Sequence, residues 1–426
     1  MDFEVPPSPG LTGDRTVPGD KSISHRAALI ASLADGESRL SNFPLSADPQ
    51  STLACLRALG VDVRSDGNRV VIRGKGLRGL QSPRTVLDAG NSGTTLRLLT
   101  GILAGQQFPA TITGDDSLRS RPMRRVVDPL RLMGADIQSA PDGTAPLSVI
   151  PVRELHPITY RMPVASAQVK SAILLAGLYA RGATVVREAV ATRDHTERML
   201  GLTTQRDAEG TAVTVKGGVP PQPLDLSIPG DPSAAAFLIG AALLIKRSSI
   251  RIHHVGLNPS RTEFLRHLRG IGAVIEETVE STAGGEPIGS LSAGSCSMGG
   301  RMRLRGADTA GVIDEIPLLA VVAALGGVGF SVSDAKELRA KESDRIAAMV
   351  HNLRAMGLDV EERDDGFAFE PKNRVFGARI HTMHDHRIAM AFAVAGLIVP
   401  GVRIDDPACV SISFPEFWHA IGVSGS

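Results

Sequence analysis

Basic and hydroxyl side chains gather at the starts of apolar stretches in this sequence. Lys21, Ser22 and Arg26 precede "AALIASL", Asn91, Gly93, Thr94 and Arg97 belong to "GNSGTTLRLL", and Ser166, Ala167, Gln168 and Lys170 open "SAQVKSAILL". Asp314 and Glu315 head "IPLLAVVAAL", and Asp385, His386 and Arg387 open "DHRIAMAFAV". Three more basic clusters lie between them: Arg119, Arg121, Arg124 and Arg125 in "SLRSRPMRR", Arg193 in "TRDHTER", and Lys341 and Arg345 flanking Glu342 in "KELRAKESDR". A helix start carries partial positive charge, so a cation there costs roughly 0.3–1 kcal/mol. The same start binds anions through its free N–H groups. Cations belong in such places when multiply charged anions share the space, and Arg adds forked recognition of phosphate or carboxylate. The chemistry expected is therefore the binding of small, highly anionic ligands. On spacing alone, Asp314 reads as a helix N-cap, Glu342 as an ion-pair partner, and the Arg119–Arg125 run as a mobile surface segment.

The elements that must position these residues repeat. A polar start leads into an Ala/Leu-rich helix, then a Gly, a short β-branched strand, and an amphipathic helix ending in Leu-x-x-(Met/Leu/Ile)-Gly-like punctuation, then a further strand. With Lys21, Asn91, Gln168, Asp231, Glu315 and His386 as anchors, the pattern recurs at intervals of roughly 60–85 residues, longer than solenoid repeats. Each copy reads as a βαβαββ unit, and the chain as an α/β (α+β) protein of two similar domains with three units each. The helices are apolar all round, as expected for burial by sheet on every side. Pro229-Gly230 and Asp231-Pro232 mark a break between domains, the latter pair as N-cap and first helical residue. The first domain is expected at 1–18 plus 231–426 and the second at 19–230. Asp194-His195-Thr196-Glu197 has capping-box spacing.

Bulk properties exclude several classes. With 46 Lys+Arg against 45 Asp+Glu and only 4% aromatic residues, neither nucleic acid nor an anionic membrane is an expected partner. Cys55, Cys296 and Cys409 stand alone, which fits a reducing compartment. No secretory or transit pattern opens the chain, and "AAAFLIGAALLI" is too short to span a bilayer, so a cytoplasmic protein without a membrane partner is expected; a monomer is the expected state. "GDKS" at 19–22 fails as a P-loop, because Gly13 and Gly19 are too far apart and Asp20 separates Gly19 from Lys21. "HDH" at 384–386 has no third ligand cluster, so no metal is expected.

Seven segments, in order along the whole chain, resemble the 5-enolpyruvylshikimate-3-phosphate synthase family, in a divergent bacterial form. They are "PGDKSISHRAALIASLADG", "GNSGTTLRLL", "TGDDSLRSRPM", "ASAQVKSAILLAGL", "RDHTERML", "ELRAKESDRIAAM" and "DHRIAMAFAVAGL". The resemblance implies the inside-out α/β barrel of the enolpyruvyl transferases, its two domains closing on ligands. It implies transfer of the enolpyruvyl group of phosphoenolpyruvate to the 5-hydroxyl of shikimate 3-phosphate, with release of phosphate and no cofactor, in aromatic amino acid biosynthesis. Carried over by position, Lys21, Ser22, Arg26, Ser166, Ala167, Gln168, Arg193, Asp314 and Lys341 would meet shikimate 3-phosphate. Lys21, Gly93, Arg121, Gln168, Arg345 and Arg387 would meet phosphoenolpyruvate. Asp314 is the implied base and Glu342 the proton carrier at carbon, with Lys21 and His386 in support. This chain has Ala167 where some members have a second Ser, Leu98 where others have Pro, Ile412 where some carry a Lys, and Glu337 where some carry an Asn. Two alternatives compete with this reading. UDP-N-acetylglucosamine enolpyruvyl transferases carry a Cys in the loop that is "TGDDSLRSRPM" here, and a non-enzymatic polyanion-binding scaffold would not need Asp314 and Glu342 among its cations.

Overall fold

Helices that are hydrophobic on every face have to be covered on every side. In the computed structural model, which describes residues 2–372 and 374–423, the apolar stretches form helices Lys21–Leu33, Gly93–Leu103, Ala167–Gly177, Pro232–Leu244, Ile316–Leu325 and His386–Gly396. Burial is continuous from Pro232 to Leu243 and throughout His386–Gly396. Asp231 caps the Pro232 helix by accepting from the Ser233 N–H at 2.8 Å, with Pro232 in the first turn. The covering is not by sheet alone, as the sequence led one to expect. The Gly93 helix packs on the Lys21 and Ala167 helices, and the Pro232, Ile316 and His386 helices pack on one another.

The chain divides into two compact units, one of residues 1–18, 229–281 and 287–426, the other of 19–228 and 282–286. Each has its own apolar core. In the second of these units, Leu87–Asp88 runs into the Gly93 helix, and Ala110–Thr113 returns parallel to the first strand. The helix Arg124–Leu132 follows, then the antiparallel strands Asp136–Gln138 and Leu147–Ile150. The sheet order is first, second, fourth, third, and the same order serves the other four-stranded sheets among the described residues. Chain order and sheet order part company in two places. Asp225–Ser227 supplies the opening strand beside Glu37–Ser41, and Phe3–Glu4 pairs antiparallel with Arg403–Ile404 in a three-stranded sheet. Helices thus lie inside each unit with sheets outside, and the strands of the described residues form separate sheets, not one closed barrel.

The Leu-x-x-(Met/Leu/Ile)-Gly punctuation has a geometric cause, carried by an Arg directly after the Leu at four of these helix ends. Arg57, Arg131, Arg269 and Arg354 each donate through Nε to the carbonyl six residues on, at 3.1, 3.1, 3.2 and 3.1 Å respectively. The guanidinium sits where the helix dipole favours a cation and ties the helix end to the entering strand. Three residues after each Arg, Gly60, Gly134, Gly272 and Gly357 adopt φ of +81°, +89°, +104° and +93°, which side chains disfavour. No helix of the described residues is long and apolar enough to cross a membrane.

The interior approach of the Gly93 and Ala167 helices depends on Gly101, where a β-carbon would lie 2.3 Å from the Ala172 carbonyl oxygen. Backbone cannot yield as a flexible side chain can. Gly101→Ala is expected to cost about 1–3 kcal/mol, read as a lower urea midpoint for the unit that carries it.

Candidate active site

In the unit containing residues 19–228, Asp20 caps the Lys21 helix, its Oδ1 accepting from the Ile23 N–H at 2.8 Å. The cation-rich first turn therefore begins on a buried carboxylate. Lys21 Nζ donates to Asp48 Oδ2 at 3.0 Å, and both side chains are largely enclosed. Arg26 is buried and donates through Nε to Thr196 Oγ1, through Nη2 to Ser171 Oγ and through Nη1 to the Ser22 carbonyl, each at 3.0 Å. These acceptors are neutral oxygens that orient the guanidinium. Arg193 Nη1 reaches Ser22 Oγ at 3.4 Å.

The Gly93 helix begins on Ser92, whose Oγ accepts from the Thr95 N–H at 3.1 Å. A β-carbon on Gly93 would stand 2.7 Å from Arg97 Nη1 and 3.6 Å from Arg121 Nη1, so glycine leaves room for two guanidinium groups. Arg97 Nη1 donates to Gln168 Oε1 at 2.6 Å, and Gln168 Nε2 donates to Thr94 Oγ1 at 2.9 Å, which joins two helix starts through one amide. Arg121 is buried, donating to Asn91 Oδ1 at 2.7 Å and Ser117 Oγ at 3.1 Å. The surface-segment reading of its run holds for the exposed Arg119 and Arg124 and fails for Arg121. Beneath these starts lies His25, whose Nδ1 shares a 2.7 Å hydrogen bond with Thr52 Oγ1, itself 2.7 Å from Thr95 Oγ1. Burial, then the nearby Lys21 and Arg26 charges, hold His25 well below the usual imidazole pKa.

Ser166 caps the third helix start, accepting weakly from the Val169 N–H at 3.4 Å, and Ala167 and Gln168 remain partly exposed. Lys170 turns away from that start into the interior. Its fully buried Nζ lies 2.8 Å from Glu188 and 2.6 Å from Glu197. Glu188 also accepts from the Thr192 hydroxyl at 2.7 Å, which orders the approach to Arg193. The capping box expected at 194–197 does not form. The Asp194 side chain makes no cap hydrogen bond and pairs with Arg198 at 2.9 Å, because Glu197 is committed to Lys170.

In the other unit the acidic groups converge on Arg345, whose side chain is 1% exposed. Its Nε donates to Asp385 Oδ2 at 2.7 Å, its Nη2 to Glu342 Oε2 at 2.6 Å, and its Nη1 to Asp314 Oδ1 at 3.3 Å. Burial works against the Arg345 charge, but Asp385, Glu342 and Asp314 outweigh it and raise its pKa. For Asp385, burial alone would favour the neutral acid, and the Arg345 charge reverses that, leaving its pKa below the usual carboxylate value. Asp385 also accepts from the Arg387 N–H at 2.9 Å at the start of the last buried helix. Asp314 is not the N-cap read from spacing, since Glu315 occupies that position. Its carboxylate instead faces cations, with Lys341 Nζ at 3.8 Å and Arg387 Nη2 at 4.0 Å. Arg387 Nη1 donates to the Asp314 carbonyl at 2.9 Å. Buried Glu315 accepts from the Ser233 hydroxyl and lies 3.7 Å from Arg387. Glu342 is an ion-pair partner, as its spacing suggested. His386 is buried in the first turn of its helix. Glu337 lies 3.5 Å from Lys341, and Ile412 packs on the apolar core.

Several positioning residues escaped the sequence reading. Asp48 lies 27 residues from Lys21 and Thr196 lies 170 from Arg26, so no local pattern links them. Two donor groups have metal-like proximity, Asp194/His195/Glu286 and Glu263/His267/Asp308. Each is already served by an arginine: Arg198 pairs with Asp194 and feels Glu286, while Arg266 pairs with both Glu263 and Asp308. In "HDH", His384 turns to Asp406 at 2.7 Å and Asp385 to Arg345, so the two do not converge on one point.

Comparison with known proteins gives one family. The sequence profile of EPSP synthase (3-phosphoshikimate 1-carboxyvinyltransferase) matches residues 6–421. The 3-phosphoshikimate 1-carboxyvinyltransferase of Salinibacter ruber is 48% identical over 416 residues, spanning 96% of each chain. That of Alkalilimnicola ehrlichii is 47% identical over 430 residues, spanning 100% of this chain and 96% of its own. The solved structure of EPSP synthase from Acinetobacter baumannii superposes with a TM-score of 0.85 at 39% identity, covering 98% of this chain and 96% of that one. The enolpyruvyl transferase NikO from Streptomyces tendae, 17% identical with a TM-score of 0.75, covering 99% of this chain and 96% of that one, shares the fold.

The buried neutral His25 sets a pH dependence. Its folded pKa lies below the unfolded value of 6.5, so below that pH the unfolded chain takes up a proton that the folded one refuses. Its contribution is full above pH 6.5 and declines on acidification by about 1.4 kcal/mol per pH unit until the folded pKa is reached. Urea titrations between pH 7 and 5 are expected to show this slope in the native chain and its loss in His25→Gln.

Proposed function

The chain belongs to the EPSP synthase family, and from that premise we propose that it transfers the enolpyruvyl group of phosphoenolpyruvate to the 5-hydroxyl of shikimate 3-phosphate. The observation that carries this reading is the arrangement around Arg345, where one buried guanidinium holds Asp314 at 3.3 Å and Glu342 at 2.6 Å on separate N–H groups. Addition followed by elimination needs two proton-handling groups, one for an alcohol and one for a carbon. Starting as the protonated acid, with Oε2 still accepting from Arg345, Glu342 delivers its proton to the methylene carbon while the 5-hydroxyl oxygen bonds to C2 of phosphoenolpyruvate and its proton passes to Asp314. In the second step the C2–O bond to phosphate breaks, the methyl carbon returns a proton to Glu342, and the proton on Asp314 leaves with phosphate. The products are enolpyruvylshikimate 3-phosphate and phosphate, with charge and protons balanced.

Cations do the binding. Lys21, Ser22, Arg26, Ser166, Ala167, Gln168, Arg193 and Lys341 engage shikimate 3-phosphate, and Lys21, Gly93, Arg121, Gln168, Arg345 and Arg387 engage phosphoenolpyruvate. Lys21 and His386 support the proton transfers. Because Arg26 and Arg121 are oriented by hydroxyl, amide and carbonyl oxygens, the site is organised before an anion arrives, which supports a rate derived from positioning and electrostatics. The Ile412 side chain offers no charge, so the phosphoenolpyruvate carboxylate relies on the arginines.

Mixing the protein with both substrates is expected to release phosphate. Release supported by UDP-N-acetylglucosamine and not by shikimate 3-phosphate would overturn the reading. Asp314→Asn is expected to keep shikimate 3-phosphate affinity while lowering kcat about 100- to 10,000-fold, measured by calorimetry and phosphate release. Unchanged turnover would remove Asp314 as the base.

A further inference from the structure

The helix His195–Leu200 is too short to hold itself in place. Its residues, and Arg193 two positions before it, are tied to the Lys21 and Ala167 helices. Arg193 reaches Ser22, Thr196 accepts from Arg26 Nε at 3.0 Å and shares a 2.7 Å bond with Ser171, and Glu197 holds Lys170. The remaining face rests on the turn formed by residues 282–286, which belongs to the same compact unit. Gly284 and Gly285, at φ of +57° and +78°, make a two-residue hairpin turn between the strands Ile275–Ala283 and Glu286–Gly294. A β-carbon on Gly285 would lie 3.0 Å from that of Arg198, and Arg198 Nη1 donates to the Gly285 carbonyl at 2.8 Å. Immediately after the turn, Glu286 Oε1 lies 2.7 Å from His195 Nδ1, and both side chains are 1% exposed.

We propose that Glu286 is a positioning residue for shikimate 3-phosphate, acting through His195 to hold Arg193 and the Thr196 hydroxyl that orients Arg26. This rests on the enolpyruvyl transfer reading above. A purely structural contact on the surface of the unit would not need two buried titratable groups. A buried carboxylate is costly without a partner, and His195 Nδ1–H is one donor that meets it. Fixing Nδ1 fixes the ring, and with it the first turn of a helix that has no side-chain cap of its own. Loss of the bond frees that turn, so the phosphate-binding guanidinium groups lose their registration while Asp314, Glu342 and Arg345, which lie in the other unit, keep theirs.

The test is steady-state kinetics on Glu286→Ala and the milder Glu286→Gln, with thermal melting alongside. Glu286→Ala is expected to raise the KM for shikimate 3-phosphate about tenfold or more, with kcat and the KM for phosphoenolpyruvate within about threefold of native. Glu286→Gln retains an oxygen acceptor for Nδ1–H and is expected to recover most of the loss. If Glu286→Ala does not fold, His195→Asn serves in its place, since its amide N–H can still reach Glu286, and a native KM is then expected where His195→Ala raises it. A native KM for shikimate 3-phosphate in both Glu286→Ala and His195→Ala, or a lowered melting point with no change in KM, would overturn the proposal. Failure of the underlying reading is seen separately, as native protein that neither binds shikimate 3-phosphate nor turns it over.

Discussion

A guanidinium withdrawn from water costs several kcal/mol unless carboxylates and hydrogen bonds surround it, and Arg345 is withdrawn almost completely. Three elements meet because of that cost. Asp314 comes from the turn before Ile316–Leu325, Glu342 from the segment just ahead of Arg345–Ala355, and Asp385 from the cap of His386–Gly396. Moving any one of them leaves uncompensated charge in a dry interior, so their positions are fixed relative to one another far more firmly than loop residues ordinarily are. The reactive carboxylates are therefore held by electrostatics that would exist without substrate.

The other unit uses the same device with the sign pattern kept and the residues changed. Lys170 is fully buried between Glu188 and Glu197, one on a strand and one on the short helix His195–Leu200. Arginines nearer the helix starts are treated differently. Arg26, Arg97 and Arg121 are bonded to hydroxyl, amide and carbonyl oxygens, which set the direction of each guanidinium. The buried lysine anchors the scaffold, and the arginines present charge. Residue type and partner type together separate the two roles.

The repeated architecture makes this arrangement possible. Each βαβαββ copy sends one buried helix into the interior of its unit, and close helix contacts need small residues such as Gly101. Helix starts from successive copies then lie near enough for Gln168 to bond both Arg97 and Thr94, and for Thr95 to meet Thr52 and Ser51. Side-chain networks between copies replace what a single loop would otherwise have to supply.

Local pattern was sufficient for much of the fold. The apolar runs begin as helices at Lys21, Gly93, Ala167, Pro232, Ile316 and His386, and the Leu-x-x-(Met/Leu/Ile)-Gly punctuation ends the amphipathic helices where periodicity suggested. Such features depend on residues a few places apart, which is the range over which helix periodicity, caps and positive-φ glycines act. Motif resemblance along the whole chain likewise pointed to the family. What lay beyond local pattern was the partner of each charge. Nothing near Lys21 marks Asp48, spacing made Asp314 look like a cap, Lys170 among the helix-start cations is a buried anchor, and Arg121 in the surface-like run is buried. Likewise Asp225–Ser227 and Phe3–Glu4 complete sheets with strands far away in the chain. Charge pairing and strand pairing are set by distance in space, and only the packing of distant segments determines that distance.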